Sequence, residues 1–195
     1  MSLMPCFDAA DQARTEGTIV GRLLVGYGEL EVQLLACHFA VENIYDLPIR
    51  DLFSDRGEKR RLKTSKAALR SDYTRAGLIG DLLQTFDDLD WCRQIRNQYA
   101  HCQWYWTRQD GLCFVNLEEL AQQPTTILND LTVGRHSIDL PLLNAQEAFF
   151  WYVKECLMHL GDAYRDWDRR QGAVAGPAIY VHPKPQLVAR PPLHN

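Results

Sequence analysis

The chain has 195 residues, of which 46% are hydrophobic and 24% are charged, and its formal net charge is −4. This composition is typical of a globular protein with a full core, so a disordered, collagen-like or coiled-coil chain is excluded and one domain is expected. The acidic excess also excludes a uniformly basic surface, so any site for nucleic acid would have to be a local patch.

Targeting signals are not visible in the sequence. No apolar run reaches the length of about 18 residues that a membrane span requires. Residues 1–17 lack a basic start followed by an apolar core, so we expect no signal peptide. The six cysteines form no C-x-x-C pair and lie in apolar segments, which indicates reduced, buried thiols in a cytoplasmic protein.

The first part of the chain predicts a long helix and a short one. Apolar residues recur every three or four positions from Ile19 to Ile44, which is the pattern of one helical stripe. Three glycines weaken the first half of this helix and would permit close packing against another helix or a partner chain. They are Gly21, Gly26 and Gly28. A short helix is predicted from Pro48 to Phe53, because proline suits a first helical turn.

The most basic stretch of the chain, residues 56–70, predicts a surface helix. Its acidic residue is Glu58, and its basic residues are Arg56, Lys59, Arg60, Arg61, Lys63, Lys66 and Arg70. This pattern fits either a solvated helix face or a patch that contacts phosphates, which an acidic RNA-binding protein would require. On the second interpretation, the candidate RNA-binding residues are Arg60, Arg61, Lys63 and, farther along the chain, Arg93.

The strongest helical periodicity runs from Thr74 to Gln103 and is followed by a change of period. Two aromatic and β-branched runs cover residues 103–107 and 112–117, with the turn signal Asp110-Gly111 between them. They predict a β-hairpin at about residues 103–117. The aromatic residues of its first run would either stack RNA bases or pack the hairpin against the helices. They are Trp104, Tyr105 and Trp106.

The remaining segments lead to a last long helix and a tail. Residues 118–134 are expected to form a short helical turn and a loop around Pro124, and residues 136–138 are the candidate for a third short strand. Asp139 is suited to cap a helix that ends at about Gln171.

These elements predict an all-α protein: an antiparallel helical bundle with a small β-hairpin excursion before the last long helix. Residues 1–171 would form its single domain. Residues 172–195 hold five of the nine prolines and would be either disordered or extended along a surface. A bundle of this size would bury its remaining apolar faces by forming a homodimer.

The motifs of most metal and nucleotide enzymes are missing. The sequence contains no E-x-x-H, H-E-x-x-H, C-x-x-C, Walker A or G-x-S-x-G pattern, so we expect no metal and no cofactor. Polar residues are instead concentrated between Asp90 and His101. Arg96 would lie about 140° from His101 on a straight helix. The two side chains would meet through the reach of the guanidinium, through distortion near the helix end, or across a two-fold axis.

The segment Arg96-Asn97-Gln98-Tyr99-Ala100-His101 resembles the R-x4-H motif of HEPN domains, including the polar residue after the arginine. The likeness in residues covers about six to nine positions, and the helical layout extends it loosely over residues 18–170. HEPN domains are helical bundles, usually dimeric, and many are metal-independent endoribonucleases of toxin–antitoxin, antiphage or RNA-processing systems. Minimal HEPN toxins carry R-x4-H-x-Y, whereas Gln103 takes the tyrosine position here, so that subfamily is not implied.

The resemblance implies that Arg96, Asn97 and His101 are the catalytic residues of an endoribonuclease that cleaves single-stranded RNA. His101 would transfer protons near neutral pH, and Arg96 would bind the phosphate and stabilise the charge of the transition state. Asn97 would orient the histidine or the phosphate. The implied partners are RNA, a second copy of the chain, and an antitoxin or another protein.

A non-catalytic, HEPN-like dimeric binding module is the alternative function. The net acidity favours the module, and the intact Arg96/His101 pair favours the nuclease. In a module, His101 would interact with the helix dipole alone, and Arg93 would pair with one of the neighbouring aspartates. Those aspartates are Asp87, Asp88 and Asp90. Glu31 would either pair with an arginine of the motif or lie on the surface.

Overall fold

The computed structural model describes residues 11–44, 46–54, 57–122, 135–171 and 178–194. The helices are Arg14–Glu42 (α1), Asp46–Phe53 (α2), Glu58–Arg75 (α3), Ile79–Ala100 (α4), Leu117–Gln122 (α5) and Leu140–Gln171 (α6). The strands are Cys102–Thr107 (β1), Gly111–Asn116 (β2) and Arg135–Ser137 (β3). The predicted fold class is confirmed, because the chain is mostly helical and forms a small antiparallel sheet before its last long helix. None of the described helices is long and apolar enough to cross a membrane.

The chain divides into two compact units. Unit 1 comprises residues 1–26, 94–149 and 190–195, and unit 2 comprises residues 27–93 and 150–189. Unit 1 contains the sheet, the C-terminal turns of α4 and the N-terminal turns of α6. Unit 2 contains α3 and the larger parts of α1, α4 and α6.

Unit 2 is a helical bundle with a small polar cluster in its core. The Tyr73 hydroxyl of α3 donates to the carbonyl oxygens of Cys37 in α1 and Leu160 in α6, each at 3.5 Å. The thiol of Cys37 donates to the carbonyl oxygen of Leu157 at 3.3 Å. Burial raises the pKa of this thiol to about 12, so it stays protonated and bridges α1 and α6.

Gly21 and Gly28 of α1 do not serve close packing within the described part of the chain. A Cβ atom built at Gly21 or Gly28 would have no atom within 4 Å. The close approach instead involves Gly161 of α6, where a Cβ would lie 3.9 Å from the Sγ atom of Cys37. Packing of the α1 glycines against a partner chain stays a prediction.

Helix α3 ends in a glycine-capped turn that separates it from α4. Gly77 has a φ of +73°, and its amide donates to the carbonyl oxygen of Thr74 at 3.1 Å. The amide of Leu78 donates to Tyr73 at 2.8 Å, which completes a Schellman cap. The predicted start of the next helix at Thr74 is therefore wrong. Periodicity did not detect the boundary, because apolar spacing continues through the cap.

Replacing Gly77 by alanine is expected to lower the free energy of unfolding by about 1 kcal/mol, because a Cβ disfavours positive φ. Urea denaturation of the full chain measures this change. Gly80→Ala is the matched control, since Gly80 lies inside α4 with open space around a Cβ. The control should leave stability unchanged or raise it slightly. Equal stability of Gly77→Ala and the wild-type protein would contradict the proposed cap.

The small sheet has the order β1-β2-β3 with antiparallel pairing throughout. Trp104 lies opposite Phe114, and Phe114 lies opposite His136. The predicted hairpin is confirmed, and the third strand lies one residue earlier than expected. Gly111 closes the turn with a φ of +71°, and the Asp110 amide donates to the preceding strand, which confirms the turn signal. Of the segment predicted as helical turn and loop, α5 is observed, and residues 123–134 lie outside the described residues.

The C-terminal arm, residues 178–194, is extended, in agreement with one of the two predicted alternatives for the tail. In unit 2, the ring and the amide of His182 donate to Oδ2 of Asp162 at 2.5 and 3.3 Å. Although burial opposes the effect, these bonds lower the pKa of Asp162. His159 donates to the carbonyl oxygen of His182 at 2.6 Å, and Lys184 pairs with Asp81 at 2.5 Å. The arm is therefore bonded to α4 and α6 by specific side chains.

Candidate active site at the end of helix α4

The motif occupies the last turns of α4 and the residue after it. The side of this helix that faces the core is fixed by a fully or nearly buried stripe of Leu82, Phe86, Leu89, Cys92, Ile95 and Tyr99. Arg96 and Asn97 flank this stripe and are half-buried. His101 follows the helix directly, and its amide still donates to the carbonyl oxygen of Asn97 at 3.2 Å. The helical hydrogen bonding thus extends to the histidine before strand β1 begins.

Two of the three predicted catalytic residues are in contact. Nη1 of Arg96 donates to Oδ1 of Asn97 at 2.9 Å. This bond restricts the guanidinium of Arg96 to one side of the helix. Asn97 is thus placed to position Arg96.

The third predicted catalytic residue, His101, is exposed. Among the described residues, its imidazole forms no hydrogen bond or ion pair, so it is not bonded to Arg96 or Asn97. A single chain therefore places an anchored guanidinium and an accessible imidazole at the same helix end without joining them. A bound phosphate or a second copy of the helix would have to bridge the two groups.

Arg93, a predicted RNA-binding residue, belongs to unit 2 and has a structural partner. Its Nε atom donates to Oδ1 of Asp90 at 2.8 Å, and its side chain is 14% exposed. Asp87 pairs instead with Lys66 of α3 at 2.8 Å. This ion pair compensates the charge of Arg93 locally, which weakens its candidacy for phosphate contact.

The basic helix α3 offers fewer available cations than its sequence indicates. Arg61 is half-buried, and its Nη2 atom lies 2.6 Å from Oε1 of Glu31. Its guanidinium also lies over the ring of Phe53, 5.5 Å from the centroid. Arg60 and Lys63, the other two candidate RNA-binding residues of this helix, are exposed. Glu31 is neither a surface residue nor paired with the motif, because it binds Arg61.

Two glutamines near the motif were not predicted to matter. Gln98 lies inside the R-x4-H segment, Gln146 lies in α6, and both side chains are buried. The Tyr99 hydroxyl donates to Oε1 of Gln146 at 2.5 Å. Burial raises the pKa of this hydroxyl, so it remains a donor. The sequence signal was a polar residue at position 146, inside an otherwise apolar helix face.

The two glutamines bind the end of the C-terminal arm. Nε2 of Gln98 donates to the carbonyl oxygen of Leu193 at 2.7 Å. Nε2 of Gln146 donates to the carbonyl oxygens of Pro192 and Leu193, each at 2.9 Å. The arm thus becomes part of the surroundings of the motif, with its backbone held by buried donors.

The aromatic run of the hairpin contributes to packing. The ring centroid of Trp104 lies 5.6 Å from those of both Tyr99 and Phe114. This contact supports the packing interpretation for Trp104. Tyr105 and Trp106 are half-buried.

Comparison with family models, with curated proteins and with solved structures found no match. Within the described residues, no group of three or more histidine, cysteine, aspartate or glutamate side chains could hold a metal ion.

Proposed function

We propose that this chain is a HEPN-like, metal-independent endoribonuclease that cleaves single-stranded RNA by transesterification through the 2′-OH. The observation that carries the proposal is the arrangement at the end of α4. There, Arg96 is anchored by Asn97, and the exposed imidazole of His101 follows directly. A fixed guanidinium and an accessible imidazole are the two groups that this reaction requires.

The chemistry assigns one role to each residue. A base removes the proton of the 2′-OH, and the oxygen attacks the adjacent phosphorus. The bond from phosphorus to the 5′ oxygen then breaks, and an acid protonates that oxygen. His101 transfers protons in these steps, while Arg96 binds the phosphate oxygens and stabilises their added charge. The products are a 2′,3′-cyclic phosphate and a 5′-hydroxyl.

A homodimer would supply both proton-transfer groups. One imidazole acts as the base and the imidazole of a second copy acts as the acid when two α4 ends face each other across a two-fold axis. Such a cleft would also hold two guanidinium groups, one from each Arg96. A cytoplasmic nuclease of this kind requires control, and an antitoxin or another protein that covers the cleft would provide it.

The test is incubation of the purified full chain with single-stranded RNA in EDTA. We expect cleavage that yields 2′,3′-cyclic phosphate ends, detected by sensitivity of the ends to a cyclic phosphodiesterase. Intact RNA over a range of protein concentrations and sequences would contradict the proposal, as would cleavage that EDTA abolishes.

Two arginines one helical turn apart provide a matched comparison of charge removal. Arg96→Ala should lower the cleavage rate at least about 100-fold, because the transition-state charge loses its bidentate partner. Arg93→Ala removes the same charge from the same helix but breaks an ion pair with Asp90. It should lower the rate much less. Rates of labelled RNA cleavage for the two folded variants test this, and equal losses would contradict the assignment of Arg96.

The second candidate function is a non-catalytic, HEPN-like dimeric binding module. The observation that favours it is charge compensation, because Arg61 and Arg93 are both paired with carboxylates. In that case, the chain would form a dimer but leave RNA uncut. Sedimentation of the purified chain, combined with the cleavage assay, separates the two functions.

A further inference from the structure

A line of four cations, called the basic stripe below, runs along one side of α3 in unit 2. The stripe consists of Lys59, Lys63, Lys66 and Arg70. Neighbours in this set are three or four residues apart, which places them on one face of an α-helix. The stripe extends for about 16 Å along the helix axis at 1.5 Å per residue. Its side chains can therefore contact a ligand whose charges are also arranged in a line.

Most of the positive charge of the basic stripe is not compensated. Lys59, Lys63 and Arg70 are exposed, and within the part of the chain that the structure describes none of their cationic groups forms an ion pair or a hydrogen bond. Lys66 is bound instead to Asp87 of α4 at 2.8 Å. In a chain with a net charge of −4, the three remaining cations produce a local region of positive potential.

The other exposed side chains of α3 are polar or small. Thr64 and Ser71 carry hydroxyl groups, and Ala67 and Ala68 carry methyl groups. None of the large apolar side chains exposed among the described residues belongs to α3. The core of a protein–protein interface is rich in aromatic residues and poor in lysine. Interfaces with nucleic acid are instead polar and strongly positive, and serine and threonine hydroxyls also bind phosphate oxygens. The composition of this surface therefore favours nucleic acid over an acidic protein.

We propose that the basic stripe of α3 binds the phosphate backbone of single-stranded RNA. A strand carries one negative charge per nucleotide, so a line of cations can contact successive phosphates. This inference rests on the proposed function for the choice of RNA, and it adds a binding surface on unit 2 that does not depend on base sequence. It assigns phosphate contacts to Lys59 and Arg70 as well as to Lys63. It assigns none to Arg61, whose guanidinium is paired with Glu31.

The test is the salt dependence of RNA binding by the full chain carrying His101→Ala, in which cleavage is prevented. Fluorescence anisotropy is measured with labelled oligouridylate and oligoadenylate of about ten nucleotides, in EDTA, from about 50 to about 300 mM salt. Replacing Lys59, Lys63 and Arg70 together by glutamine should make the slope of log K against log salt less steep by about 2, because each lost phosphate contact removes about 0.7. The affinity should fall by the same factor for both oligonucleotides. Glutamine is a good helix former, so we expect this glutamine variant to keep the helix.

Two controls separate charge from other effects of substitution. The charge-conserving variant with Lys59→Arg, Lys63→Arg and Arg70→Lys should keep the slope of the parent chain. Arg108→Gln is the matched control for Arg70→Gln, because Arg108 is an exposed arginine in the hairpin turn of unit 1. Arg70→Gln should reduce the slope by about 0.7, whereas Arg108→Gln should leave it unchanged.

The outcomes distinguish this inference from the proposed function. Absence of both RNA binding and cleavage in the wild-type chain would defeat the two together. If the wild-type chain cleaves RNA but the glutamine variant keeps the slope, this inference alone is overturned. Binding that depends on the stripe without cleavage by the wild-type chain would support the stripe and contradict the nuclease. If poly(glutamate) of similar length displaces the RNA as well as unlabelled RNA does, the stripe binds acidic chains in general and the inference is overturned.

Discussion

Replacement of His101 by alanine is expected to lower the rate of RNA cleavage by about 100- to 10,000-fold, the usual contribution of a general acid–base group. The imidazole is exposed and has no hydrogen-bond partner among the described residues, so its loss removes a reactive group without removing a stabilising contact. The free energy of unfolding should therefore change by less than about 0.5 kcal/mol. Initial rates and urea denaturation of the same preparations measure the two effects.

Two further measurements identify the lost group as a proton-transfer group. Imidazole added to the His101→Ala protein should restore part of the rate, because a diffusible base can occupy the vacated space. Asn144→Ala, a substitution of an exposed residue of α6 in unit 1, should leave the rate unchanged. A His101→Ala protein that cleaves RNA within about twofold of the wild-type rate would exclude His101 from the reaction.

Local sequence patterns were sufficient to predict the elements that carry the site. The periodic apolar stripe of α4 fixed which side of the helix would be buried, and that side was confirmed. The N-cap of α6 was also predictable, because Asp139 accepts a hydrogen bond from the Leu142 amide at 2.9 Å. Both features depend on residues within a few positions of each other, which is the range over which helical geometry acts.

The contacts that complete the site could not be predicted in this way. Gln98 binds Leu193, and Glu31 binds Arg61, so each contact joins elements that are distant in sequence. Such pairings depend on how elements pack rather than on their own periodicity. From the sequence alone, Gln98 has no evident role between Arg96 and His101, because the segment that it binds is distant in the chain. The same limit applies to any contact with a second chain.

Acidification from about pH 7.5 to pH 4 is expected to lower the free energy of unfolding by about 3 kcal/mol through His38 alone. This histidine is 2% exposed, and its Nε2 atom shares a hydrogen bond of 2.6 Å with Oγ of the buried Ser65. Burial lowers the pKa of His38 from 6.5 to about 4, an effect that the negative charge of Asp51 opposes. Glu42, whose carboxylate lies 3.8 Å from the Nδ1 atom, is also near the ring.

The sign of the effect follows from proton binding. Above pH 6.5, the imidazole is neutral in both the folded and the unfolded chain, and its full contribution to stability is present. Between pH 6.5 and about 4, the unfolded chain binds a proton that the folded chain does not, so stability falls as the pH falls. Urea denaturation at several pH values should show a loss about 3 kcal/mol smaller for His38→Gln than for the wild-type chain. His101→Gln, at an exposed position, is the control and should retain the wild-type dependence of stability on pH. Equal losses of stability for His38→Gln and the wild-type chain would show that His38 is not held neutral.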